Sequence, residues 1–116
     1  MPPLGGGDVV VVDFPGVAGI KRRPAVVLSS DEYHGVRLDV IVGLVTSQTG
    51  TLGPTDHLLR DWAAAGLHVP SVFRCFLVTL PRPSQQFVIG HLSSNDWQAV
   101  CDCVKRSLVP LSDQTA

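Results

Sequence analysis

The chain has 116 residues, 45% of them hydrophobic and 16% charged, with a formal net charge of −1. That length fits a single domain, the near-neutral balance excludes a global electrostatic case for nucleic-acid binding, and no apolar run approaches the roughly 20 residues of a membrane span. The sparse charge leaves room for apolar surface that a second copy would cover.

Met1-Pro2-Pro3-Leu4-Gly5-Gly6-Gly7 has neither the charged n-region nor the apolar h-region of a secretion signal. Cys75, Cys101 and Cys103 form an odd set expected to stay reduced. The expectation is a cytosolic domain spanning 1–116, with flexible ends over 1–6 and 110–116 and no membrane association.

Residues 8–14 (DVVVVDF) predict a first strand, its four valines buried on both faces. A loop punctuated by Pro15, Gly16 and Gly19 comes next. The second strand is predicted over 24–30, opened by Pro24 because a proline at the first strand position breaks no ladder bond. Lys21, Arg22 and Arg23 then form a basic loop, and the proline holds the backbone of Arg23 extended. Residues 31–35 read as a turn and 38–45 as a third strand with a candidate bulge at Gly43. Residues 46–54 form a polar loop.

Thr55 or Asp56 can cap a short helix with Leu58, Leu59 and Trp62 inward and a left-handed Gly66 at its end. A strand is expected over 71–80, ended by Pro81-Arg82-Pro83, and a short closing strand over 87–90. Ser93 with Asp96 three residues on resembles a capping box. Trp97, Val100, Cys101, Val104 and Leu108 fall on one helical face, and Lys105 and Arg106 suit the final turn. Short strands joined by glycine-bearing turns argue a mainly β protein, a small barrel or sandwich with an amphipathic C-terminal helix.

The chemical candidates narrow quickly. His34, His57, His68 and His91 show no chelating spacing. Cys101 and Cys103, two apart, diverge by about 200° on a helix; Cys101 and Cys75 read as small core residues. No metal and no cofactor is expected. No serine sits in a nucleophile turn, and Gly5-Gly6-Gly7 precedes a strand rather than a helix, so it is no phosphate cradle. Arg23 remains. If strands two and three pair antiparallel, Arg23 and Thr46 converge at one rim, with Ser47 and Gln48 as neighbouring donors, and the set can hold a tetrahedral anion. The alternative on residue chemistry alone is an exposed arginine paired with Asp31 or Asp39.

Gly7-Asp8 with the valine strand, Arg22-Arg23-Pro24-Ala25-Val26-Val27-Leu28-Ser29 and Val45-Thr46-Ser47-Gln48 resemble the MazF/PemK family of toxins from bacterial toxin–antitoxin pairs. So do Asp61-Trp62, Ala65-Gly66-Leu67, Pro70-Ser71 and Ile89-Gly90-His91-Leu92-Ser93. The likeness spans roughly residues 7 to 108. It implies an SH3-like barrel of the CcdB/MazF type, a homodimer, and a metal-independent endoribonuclease cutting single-stranded mRNA. In that chemistry the ribose 2′-hydroxyl attacks the phosphate and leaves a cyclic phosphate or 3′-phosphate and a 5′-hydroxyl end.

By motif, the resemblance puts Arg23 and Thr46 at the catalytic positions. Lys21 and Arg22, with Ser47 and Gln48, are candidates to hold RNA, phosphate contacts giving affinity without sequence information. It also implies a cognate antitoxin whose disordered acidic tail covers the basic residues. Arginine stays protonated and makes a poor general base; His34 is a candidate for proton transfer. The first loop lacks the longer Gly-x-Glu-Gln-Gly-like stretch of many members, and with it a carboxylate sometimes counted in the site. The rival reading is a non-catalytic or CcdB-like protein that binds a protein target such as gyrase.

Overall fold

The valine run does what its composition requires. In the computed structural model, which describes residues 4–82 and 87–110, Val9 packs into one apolar cluster and Val10 and Val12 into a second on the other face of the same strand, as alternation dictates. The elements are β1 (Asp8–Gly16), β2 (Gly19–Val27), α1 (Asp31–Val36), β3 (Asp39–Thr46), β4 (Asp56–Leu58), β5 (Val72–Pro81), β6 (Phe87–His91) and α2 (Ser94–Ser107). Among the described residues the strands form one antiparallel sheet in the order β4-β5-β3-β2-β1-β6. Pro83 and residues 1–3 and 111–116, for which a strand end and flexible termini are expected, lie outside the described residues.

The expected loop between the first two strands is a hairpin instead. β1 and β2 stay paired to Gly16↔Gly19, with Arg22 opposite Asp13 and Arg23 opposite Val12. The basic triplet is therefore strand, and Pro24 lies inside β2. It is tolerated because β2 pairs with β3 only from Ala25 onward, so Pro24 has a free side toward which its missing N–H points without cost. The predicted turn at 31–35 is the single helical turn α1, capped by Ser30 Oγ, which accepts from the Tyr33 N–H at 3.1 Å. The bulge falls where Gly43 suggests, between Gly43 and Leu44 against β5. A Cβ on Gly43 would stand 2.5 Å from the Phe73 ring.

The helix predicted from residue 55 does not form. Asp56–Leu58 is β4, paired with β5 at Arg74, Phe73 and Val72, and the chain then makes one turn over 61–66. Its end matches the prediction: Gly66 has φ +88, Gly66 N donates to Ala63 O and Leu67 N to Trp62 O, both at 3.1 Å, the paired bonds of a Schellman closure. A segment this short does not repay helix nucleation, while β5 offers its residues a ladder.

α2 starts at the predicted cap: Ser93 Oγ accepts from Asp96 N at 3.2 Å. Asp96 does not reciprocate as in a capping box. Its carboxylate turns inward, and the buried face of α2 is Asp96, Val100 and Cys103. Cys101 is half-buried, and Leu108 is exposed. α2 covers the first cluster, with Val45, Phe73, Leu59 and Leu67 beneath it. The second cluster lies across the sheet and holds Phe14, Ala25, Val27, Val40 and Val42.

The fold is mainly β with a C-terminal helix, as expected, but the ladder does not close into a ring: β4 and β6 are its edges. The turn over 61–66, carried by the β4 edge, instead abuts β6. A Cβ on Gly66 would collide with the Ile89 carbonyl, and one on Gly90 with the Ala65 carbonyl. Two glycines thus bring the open edges into backbone contact.

Candidate functional site

β2 and β3 pair Ala25↔Leu44, and the same register carried two residues further sets Arg23 abreast of Thr46. Both continue rows (Ala25–Val27 and Val42–Leu44) that pack the second cluster, so both side chains leave the same face of the sheet. They line two clefts in common. The first, about 160 Å³, has Arg23, Thr46, Lys21, Gln48 and Arg74 with the aromatic pair Phe14 and Phe76. The second, about 330 Å³, has Arg23, Thr46, Arg22, Ser47, His68 and Ser71 among its walls. All six residues selected from the sequence fall on this pair of clefts, and Arg23 and Thr46 form the ridge between them.

The hydrogen bonding of the ridge suits an anion. Thr46 is 8% exposed, and its Oγ1 accepts from the Gln48 N–H at 3.2 Å, which leaves its own O–H able to donate. Arg23 is half-buried and among the described residues has no hydrogen-bonding or ionic partner. A cation withdrawn from water without a counter-charge is costly until an anion joins it. The alternative pairings with Asp31 or Asp39 do not occur: Asp39 is bound by Arg37 at 3.4 Å. Arg22 is bound to Asp13 at 3.1 Å across the hairpin, while Lys21 reaches the smaller cleft.

Several residues of the two clefts are absent from the set chosen on sequence. Arg74 joins the smaller cleft and pairs with Asp56 at 3.5 Å; as the lone charge in an apolar strand it carried a legible signal. Phe76, 43% exposed, meets Phe14 edge-on with ring centroids 5.3 Å apart. His68 lies on the loop after Gly66, in the wall of the larger cleft, and carried no signal, because the cleft is assembled from segments far apart in the chain. His34 is elsewhere: its Nδ1 donates to the Leu4 carbonyl at 3.1 Å and its Nε2 lies 2.6 Å from Ser29 Oγ, so both ring nitrogens are engaged away from the clefts. Among the described residues no cluster of three or more His, Cys, Asp or Glu side chains could hold a metal ion.

A six-stranded antiparallel sheet covered by a C-terminal helix, with a cationic ridge at one end, defines a small, mainly β protein. The chain belongs to the family of PemK-like, MazF-like toxins of type II toxin–antitoxin systems, whose profile matches residues 6–108. Among solved structures it is similar to MazF from Deinococcus radiodurans, at 24% identity and a TM-score of 0.71, over 90% of this chain and 94% of that one. It is similar also to an endoribonuclease in complex with its cognate antitoxin from a mycobacterial species, at 18% identity and a TM-score of 0.72, over 96% and 100% of the two chains. The Mycobacterium tuberculosis toxin MazF-mt6 aligns at 22% identity and a TM-score of 0.68, over 86% and 94%. Comparison with curated protein sequences gives no match.

Proposed function

We propose that this toxin is a metal-independent endoribonuclease that cleaves single-stranded RNA by attack of the ribose 2′-hydroxyl on the adjacent phosphate. The observation that carries this reading is the half-buried guanidinium of Arg23, without a partner among the described residues, on the same two clefts as Thr46, whose hydroxyl remains able to donate. As the 2′-oxygen attacks, charge grows on the non-bridging phosphate oxygens. A fixed guanidinium fork and a hydroxyl donor stabilise that charge more than the ground state. Lys21, Arg22, Ser47 and Gln48 border the same ridge and hold the flanking backbone, and the exposed face of Phe76 offers an unstacked base a surface.

The partners follow from the family. Its members belong to toxin–antitoxin systems, and a similar endoribonuclease is known in complex with its antitoxin. A disordered acidic antitoxin segment laid over Lys21 and Arg23 would occupy the clefts and silence them. The chain works in the cytosol as a homodimer of single MazF/PemK-like domains; exposed Val36 and Leu38, beside a cleft of about 510 Å³ at the opposite end of β3 from the site, supply apolar surface.

The test is incubation of the purified protein with a long single-stranded RNA in EDTA. Discrete fragments with 5′-hydroxyl ends are expected. Intact RNA together with tight binding to a protein target would favour the non-catalytic reading.

A further inference from the structure

Phosphate contacts position an RNA but carry no sequence information; base edges do. On β5, the strand beside Thr46, two side chains have chemistry suited to a base. Arg74 lies opposite Leu44, and Val72 opposite Thr46. Arg74 is therefore the diagonal neighbour of Thr46, and such neighbours stand about 7–8 Å apart, within reach of a long side chain. Directly opposed residues share a face, so Arg74 leaves the sheet on the same side as Leu44, which packs on the second cluster. Phe76 leaves on that side too, since its ring meets Phe14 of the same cluster. Both side chains line the cleft of about 160 Å³ with Arg23 and Thr46.

Each of the two is held in place. Phe14 is 3% exposed, and its edge-on contact braces the Phe76 ring, which stays 43% exposed. The Nε of Arg74 lies 3.5 Å from Asp56 Oδ1, while Asp56 Oδ2 accepts the Gly53 N–H at 2.9 Å. Asp56 is the only partner of Arg74 among the described residues, so other N–H groups of its five-donor fork are available. The carboxylate offsets part of the charge, and what Arg74 offers a ligand is chiefly directed donors in a fixed plane. Lys21, Arg23 and Arg74 are the charged residues of this cleft, and among the described residues no carboxylate lines it.

A base laid on the Phe76 ring turns an edge toward a fork that only donates. Guanine meets it with two adjacent acceptors, O6 and N7, the pair that arginine binds bidentately. Adenine and cytosine set an amino donor on that edge, and uracil a single carbonyl. In a single strand the edges are free to be read. We propose that Arg74 is the specificity-determining residue of the site, selecting a guanine stacked on Phe76 beside the scissile phosphate, an inference that rests on the nuclease reading.

The experiment incubates the unsubstituted protein with single-stranded RNA of random sequence and sequences the fragment ends. The expected result is a guanine favoured by about 5- to 150-fold over the other bases at one position next to the cut. A defined RNA with that guanine is then compared with the same RNA carrying 7-deazaguanine, which lacks N7, or inosine, which keeps both O6 and N7. Inosine should be cut as guanine is, and 7-deazaguanine several-fold more slowly. Arg74→Lys keeps a charge opposite Asp56 without the planar fork, and Arg74→Gln removes the charge as well. In both variants the guanine preference should fall away and the 7-deazaguanine penalty vanish, with circular dichroism reporting the fold. A preference for another base, no preference, or a guanine preference that survives in Arg74→Lys overturns the proposal and leaves the nuclease reading standing. No cleavage by the unsubstituted protein overturns both.

Discussion

His57 Nε2 donates to Asp96 Oδ1 at 2.8 Å, and the Asp96 side chain is fully buried. The carboxylate also accepts from the Arg60 and Asp61 N–H groups at 3.0 and 2.9 Å. One acid in the first turn of α2 thus holds the segment after β4 against the helix, and so supports the turn that abuts β6. Burial alone would push the Asp96 carboxyl up; the Arg60 N–H, the His57 ring and the Asp61 N–H together overcome it and hold the group below its ordinary value of 3.8.

A carboxyl depressed in the folded state contributes stability that is complete above its unfolded pKa and is lost as pH falls through the folded one. Urea unfolding measured across acidic pH should therefore show stability falling below the ordinary carboxylate range. Asp96→Asn turns one acceptor into a donor facing a buried N–H. It should cost about 1–3 kcal/mol at neutral pH and flatten that acid limb; an unaltered limb would assign acid sensitivity to another group.

Arg23→Ala and Thr46→Ala should each lower RNA cleavage by roughly 10²- to 10³-fold, with circular dichroism and melting temperature near those of the unsubstituted protein. Arg23→Ala removes an uncompensated half-buried cation, so its stability should hold or rise. Full activity in Arg23→Ala would remove this residue from the site.

Affinity for RNA should separate Lys21 from Arg22. Lys21→Ala should reduce the slope of log affinity against log salt by about one phosphate contact, roughly 0.7 for a single strand. Arg22 is already neutralised in part by Asp13 and should give a smaller change on substitution to Ala. Equal slopes for the two variants would contradict this division.

Gly66 and Gly90 should tolerate no side chain. Gly90→Ala must push Ala65 and β6 apart, and overpacking of this kind costs about 1–3 kcal/mol; Gly66→Ala adds the strain of a positive φ. Denaturant midpoints report both. A midpoint unchanged in Gly90→Ala would mean that the two open edges do not meet in solution.

What the residues determined by themselves was local. The valine run placed β1, Ser93 placed the start of α2, Gly66 its left-handed turn end and Gly43 the bulge, because each depends on a few neighbouring residues. The approach of Arg23 to Thr46 at one end of the two strands was also legible, since it follows from the antiparallel register of neighbouring strands. Partners far along the chain decided the rest. Asp56–Leu58 became strand because β5 offered a ladder, and the basic triplet became strand because β1 did. Asp96 left its cap for three donors 35 to 39 residues away. His68 joined the larger cleft only in the folded chain. Hydrogen bonds and burial that span such separations outweigh local propensity, and only the tertiary structure reveals them.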